Sequence, residues 1–211
     1  MTVAAVMTYD SLVNDIETYL ERTDQATIAK IPQFIMLAEQ VIAADLKFLG
    51  NLTVATSTMI QGQPVIDKPA RWRKTVSMNI TVNGEKRPIL LRKYEYLREY
   101  WPDATDTGVP QFYCDYDYTH WLVAPTPSTG YSYEVLYYER VQPLDSTNQS
   151  NWFTQYAPQA LLYGSLLQAM PFLKNDARIA MFQAQYQQIM DVLKTEDVAR
   201  IGDRQAIARD S

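Results

Sequence analysis

Apolar residues recur at helical spacing near both ends of the chain and at alternate positions through its middle. After Thr8, the residues Leu12, Val13, Ile16, Tyr19 and Leu20 fall on one helical face, and Thr8 supplies an N-cap hydroxyl, which predicts a helix over 9–22. A second helix is predicted from Pro32, whose fixed φ suits a first turn, with Ile31, Ile35, Ala38, Ile42, Leu46 and Leu49 as its stripe and Gly50-Asn51 as its stop. The period then drops to two. Strands are predicted at 52–58, 73–82, 111–117, 119–124 and 131–141. Asn83-Gly84 has the chemistry of a type I′ hairpin turn, while Gln61-Gly62-Gln63 and Pro125 to Gly130 mark further reversals. Within this stretch only 90–101 returns to spacings of three and four, through Leu90, Tyr94, Leu97 and Trp101, and predicts a short helix.

From Pro158 the helical period resumes. Leu162, Leu166, Ala169 and Leu173 form one stripe, interrupted by Pro171, where a kink or early stop is expected. Lys174-Asn175-Asp176 reads as a connection with Asp176 as a cap, and Ile179, Phe182, Tyr186, Ile189 and Leu193 form the next stripe. Neither terminal pair of helices encloses a core by itself, so the two pairs are expected to cover each other. The predicted class is α+β: a four-helix bundle from 1–50 and 152–200, an inserted β-rich antiparallel module at 51–151, and a flexible tail at 201–211 that frays or orders on a partner.

Composition narrows the function. The 211 residues carry a net charge of −5, which argues against coating nucleic acid or an anionic membrane. The longest apolar runs are short, as in Phe34 to Ala38, so no membrane span is expected, and Met1 to Met7 lacks the basic start of a signal peptide. Cys114 is the single cysteine, which implies a reducing compartment or indifference to redox. With seven glycines and no phosphate loop, nucleophile elbow or metal-type cysteine pair, no cofactor is expected.

Candidate chemistry therefore converges on the only histidine. Asp115 and Asp117 alternate along one strand next to His120, a set that could hold a metal; the competing reading makes them solvent-facing residues around a tight reversal. Asp103 and Asp106 lack the partners of a calcium loop and read as Asx-turn residues, and Cys114 reads as a small buried hydrophobe. Thirteen of the 25 aromatic residues lie between Tyr94 and Tyr138, a stripe suited to sheet core and subunit contact, or to stacking sugars and bases.

Charge is segregated too. From Arg71 to Arg98 there are eight basic and two acidic residues; from Asp103 to Asp145 there are seven acidic residues and one arginine. Either neighbouring strands neutralise each other, or the basic side of one copy, through Arg71, Arg73, Lys74, Arg92 and Lys93, faces Asp115, Asp117, Glu134 and Glu139 of the next, a contact that closes into a ring.

The order of several segments resembles a known group. Tyr9 to Leu12, Ile31 to Glu39, Pro69 to Lys74, Gly108 to Tyr113, Trp121 to Pro127, Tyr137 to Arg140, Tyr156 to Ser165 and Tyr186 to Ile189 together are similar to head-to-tail adaptor proteins of tailed bacteriophages, the group that includes the tail tubular A proteins. The resemblance covers about residues 8–200 and rests on order and spacing, since each motif is a packing or turn signal. It implies a structural, non-enzymatic virion protein of the neck, assembled in the host cytoplasm as a dodecameric ring below the portal. It also implies a downstream nozzle or tail-tube partner and a lumen through which DNA passes without specific binding. The C-terminal segment would dock on the portal, through Val198, Arg200, Ile201, Arg204, Ile207 and Arg209. Two other classes compete: a carbohydrate- or nucleic-acid-binding module that stacks ligand on aromatics such as Trp121, and a small hydrolase built on Asp115, Asp117 and His120.

Overall fold

The computed structural model describes residues 6–46, 51–173 and 177–206, with 200–206 described by backbone alone. The chain is α+β and divides into two compact units, Met1–Gly50 with Val141–Ser211, and Asn51–Arg140.

The first unit is helical. Its elements are α1 (Tyr9–Leu20), α2 (Gln25–Ile28), α3 (Ile31–Asp45), α5 (Trp152–Tyr156), α6 (Pro158–Leu173) and α7 (Ile179–Ala206), while α4 (Tyr94–Tyr100) lies in the second unit. Thr8 caps α1 as expected: its hydroxyl accepts from the Ser11 amide, and the Ser11 hydroxyl answers at the Thr8 amide. The helix stops at Leu20 rather than residue 22 because Glu21 turns left-handed, at φ 52°. In α3, Pro32 lies in the first turn, and Ile31, Ile35, Ala38 and Ile42 are buried as the stripe requires. Leu49, Gly50 and the Lys174-Asn175-Asp176 connection lie outside the described residues.

Helices from both ends of the sequence share one apolar core, yet the arrangement is coarser than a regular four-helix bundle. Helix α6 is the hub, contacting α1, α3, α5 and α7. It can do so because apolar and small residues lie around most of its surface, from Ala160, Leu161 and Leu162 to Gly164, Ser165 and Leu166, all buried. Gly164 makes the closest approach, where an added Cβ would lie 3.3 Å from Tyr186 and 3.4 Å from Ala38. Pro171 falls in the last turn, and α6 runs only two residues past it.

Two sequence expectations are corrected in this unit. Residues 141–151, expected in the β module, belong with the helices: Leu144 is buried in the helical core, and the Gln149 carbonyl accepts from the Tyr9 amide at 2.8 Å. The tail expected at 201–211 continues α7 as far as Ala206.

The second unit is a curled seven-stranded sheet in the order β1-β9-β3-β4-β6-β7-β2. The strands are β1 (Leu52–Thr58), β2 (Val65–Asp67), β3 (Trp72–Val82), β4 (Glu85–Leu91), β6 (Phe112–Asp115), β7 (His120–Ala124) and β9 (Ser132–Glu139); β5 (Thr107–Gly108) and β8 (Thr126–Pro127) form a separate small pair. Pairing within the seven-stranded sheet is antiparallel except between β4 and β6. The β3–β4 hairpin turns at Asn83 and Gly84, with φ of 53° and 85°, the double positive φ of the expected turn. Alternation delivers Met78, Ile80 and Val82 of β3 and Tyr133, Val135 and Tyr137 of β9 to one core. The unit's first and last strands are neighbours, with Leu52 opposite Tyr138.

The short helix α4 starts later than its spacing suggests. Leu90 and Leu91 pair instead with Phe112 and Tyr113, so sheet pairing takes the first residues of the pattern. Beneath α4, Leu97 packs on Cys114, Leu122 and Ala124, a second small core on the opposite side of β6 and β7.

Candidate functional site

The histidine cluster is a turn held together by its own acceptors. The Asp117 carboxylate accepts from the backbone amides of Thr119 at 2.7 Å and His120 at 2.8 Å, and lies 2.8 Å from His120 Nδ1. Those contacts, led by the Thr119 amide, push its pKa down to about 2. The outer imidazole nitrogen lies 3.3 Å from Asp67. Asp115 does not join them, because its carboxylate binds the ammonium of Lys68, which also donates to the Asp117 carbonyl. Among the described residues no group of three His, Cys, Asp or Glu side chains is placed to hold a metal. Asp103 makes the expected Asx turn, accepting from the Thr105 amide at 2.8 Å, and the Cys114 thiol is buried, which pushes its pKa up.

Lys68 was not singled out by the sequence. Its ammonium sits 4.0 Å from the centroid of Trp72, and its side chain is almost wholly covered. Trp72 in turn meets Trp121 edge-on at 6.0 Å. A lysine between Asp67 and Pro69 at a strand end carries no local signal; its role comes from Asp115 at the end of β6, the turn that follows it, and Trp72 of β3.

The aromatic stripe does not form one surface. Trp121 is 1% exposed, and Tyr113, Tyr133 and Tyr137 are also buried, so these rings are core and Trp121 has no face for a ligand. Tyr131 packs against that core and Tyr118 lies beside Arg140, while six others surround α4. Tyr96 stacks on Tyr100 at 4.5 Å and meets Phe112 at 5.7 Å, Trp101 meets Phe112 at 5.4 Å, and Tyr94 approaches Tyr116 at 6.0 Å. Two guanidinium groups lie on these rings: Arg92 over Tyr96 and Phe112, and Arg98 over Tyr94, whose hydroxyl accepts from Arg98 Nε at 2.9 Å.

The charged residues named for a contact between copies mostly find partners within the chain. Glu139 pairs with Arg71 at 2.7 Å, and Glu134 with Lys86 at 2.6 Å across β3. Asp115 and Asp117 are engaged as described. All four acids are thus used internally, the neutralising arrangement that competed with the ring contact. Arg73 and Lys74 lie on β3, where Lys74 stands opposite Tyr138. Arg92 and Lys93 are exposed where β4 leads into α4, beside a cleft of about 490 Å³ that also takes in Leu91, Tyr94 and Glu95.

In the C-terminal segment, Val198 is exposed on α7, and Arg200, Ile201 and Arg204 continue that helix; Ile207 and Arg209 lie outside the described residues. Among the described residues no helix is long and apolar enough to cross a membrane.

One polar feature lies inside the helical unit. Glu39 of α3 is buried, and its carboxylate accepts from Asn151 Nδ2 at 2.6 Å and the Leu144 amide at 3.3 Å. Burial raises its pKa to about 7 despite those donors, with Asp145 adding repulsion. A signal existed in the sequence, because Glu39 follows Ile35 by four and precedes Ile42 by three, which places a carboxylate on the apolar stripe.

No curated protein matches the chain. The helical unit is built from both chain ends, and the β unit carries an aromatic and basic rim around α4. Residues 7–209 match the model of the SU10 adaptor protein, so the chain belongs to that family of phage structural adaptors.

Proposed function

We propose that this protein forms a ring below the phage portal, joins the portal to the tail, and continues the channel through which DNA passes. The family match over 7–209 is the observation that carries the reading. A dodecamer, and kinship with the tail tubular A group in particular, belong to the same proposal. The virion neck is its place, the portal and a nozzle or tail-tube protein are its partners, and its role is structural and not catalytic. An acidic chain of net charge −5 suits a lumen that must let DNA slide.

In this reading the C-terminal part of α7 docks on the portal. Helix α7 spans 28 residues, about 42 Å at 1.5 Å per residue, and among the described residues Leu193 is its last apolar contact with the helical core. Beyond it Lys194 pairs with Asp45 and Asp197 is buried, while Val198 is exposed and offers a partner an apolar side chain. Mixing the purified chain with portal rings and imaging by electron microscopy tests the proposal. An added ring under the portal is expected; bare portals at saturating protein would overturn it. Removal of 195–211 is expected to lower portal affinity, and equal affinity would reject the docking role.

A further inference from the structure

The ring contact needs an acidic surface, and the four acids first assigned to it are engaged inside the chain. We infer that the cation- and aromatic-rich surface around the start of α4 receives the acidic face of α1 from a second copy. The inference rests on the ring reading and names the two surfaces that meet in it.

The receiving surface has the composition of an energetically rich interface. Leu91 and Tyr94 line one cleft and are 58% and 40% exposed, and Tyr94 meets Tyr116, which is 44% exposed; apolar side chains of that size left together in water favour a cover. Arg92, Lys93 and Arg98 have no carboxylate partner among the described residues. Two of the three are held against rings by cation–π contact, so little rotamer freedom remains for a partner to remove. Glu95 and Asp115 line the same cleft, and because Asp115 is already neutralised by Lys68, Arg92 and Lys93 leave it net positive, which favours an acidic partner.

The donated surface is α1. Between Tyr9 and Leu20 this helix has three acids and no lysine or arginine. Asp10, Asn14, Glu17 and Glu21 follow one another at spacings of four, three and four, on the side away from the buried Leu12, Ile16 and Leu20. Asp15 and the 41% exposed Tyr19 lie on the other flank of the buried stripe, so the acids of this row are Asp10, Glu17 and Glu21. Glu21 is near Arg178, at 3.7 Å, whereas Asp10, Asp15 and Glu17 have no cation partner among the described residues. Because α1 and α4 present different surfaces, the contact is heterologous, the type that closes into a ring.

The test mixes isotopically light and heavy full-length protein at high concentration and low salt, and treats it with a carbodiimide that joins lysine to carboxylate without a spacer. Cross-links between Lys93 of one isotope and Asp10 or Glu17 of the other are expected. Their yield should fall at least tenfold in D10K/E17K, which removes those acids. In R92E/K93E, which removes the linking lysine, the loss is read by sedimentation as a fall in the associated species. Mixing the two reversed variants should restore association, since each then presents the charge that the other lacks, and the mixed species is again read by sedimentation. Cross-links between copies that map elsewhere and survive both reversals would overturn these surfaces while leaving the ring intact. Monomer alone by sedimentation, with no cross-link between copies in the presence or absence of portal rings, would overturn the ring reading and this inference together.

Discussion

In the helical unit, residues from opposite ends of the sequence meet around a helix of small and apolar side chains, and the buried carboxylate of Glu39 is held by neutral donors. In the β unit the core is aromatic, and its rim is pinned by ions: Lys68 to Asp115, Arg71 to Glu139 and Lys86 to Glu134. Shape holds the first and charge trims the second. The two units should therefore answer different perturbations, and the sharpest contrast is in pH. Glu39 has a folded pKa of about 7, above its ordinary 4.5, so its contribution is fully present below the lower value and is lost as pH rises through 7. Asp117 is depressed from 3.8 to about 2, so its contribution is present above the higher value and is lost as pH falls through 2.

The largest expected effect is on packing. Phe153→Ala removes a fully buried ring from the helical core and should cost about 3–5 kcal/mol, read as a lower denaturation midpoint of the far-UV helical signal. A loss below about 1 kcal/mol would mean that the hub is not tightly packed. Next comes Glu39: raising pH from 4.5 to 8 should lower helical stability by about 3 kcal/mol, and Glu39→Gln should flatten that dependence. An unchanged slope in the variant would assign the effect elsewhere. In the β unit, Lys68→Met should cost about 2 kcal/mol, since it leaves Asp115 without its ion partner and Trp72 without its cation, and near-UV tryptophan ellipticity reports it. Salt should weaken the rim pairs of the β unit while leaving the helical signal almost untouched. The smallest change is Gly84→Ala, about 1 kcal/mol, from forcing a Cβ into φ 85° at the hairpin. No change there would show that the turn relaxes.

Local chemistry was legible where it acts locally. The Thr8 cap, the Asn83-Gly84 turn and the alternation of β3 and β9 depend on near neighbours, and the sequence displays them directly. What stayed hidden depends on residues far apart. Lys68 matters because Asp115, 47 positions later, folds beside it, and Glu39 matters because Asn151, 112 positions later, covers it. Leu90 stands at helical spacing from Tyr94 but pairs with β6, as does Leu91, and residues 141–151 look irregular but complete the helical core. The candidate contact surface was half legible: Arg92 and Lys93 were visible as charge, whereas the use of the opposing acids could be seen only once the strands were paired.

Leu52 and Tyr138 stand opposite one another, so the polypeptide enters and leaves the sheet through adjoining positions. A cassette whose two ends meet can be lifted out or exchanged with a bridge of only a few residues, because the gap to be spanned is about 5 Å. Recombination between relatives at this doorway could thus trade one β module for another while the helical frame keeps its own stripes intact.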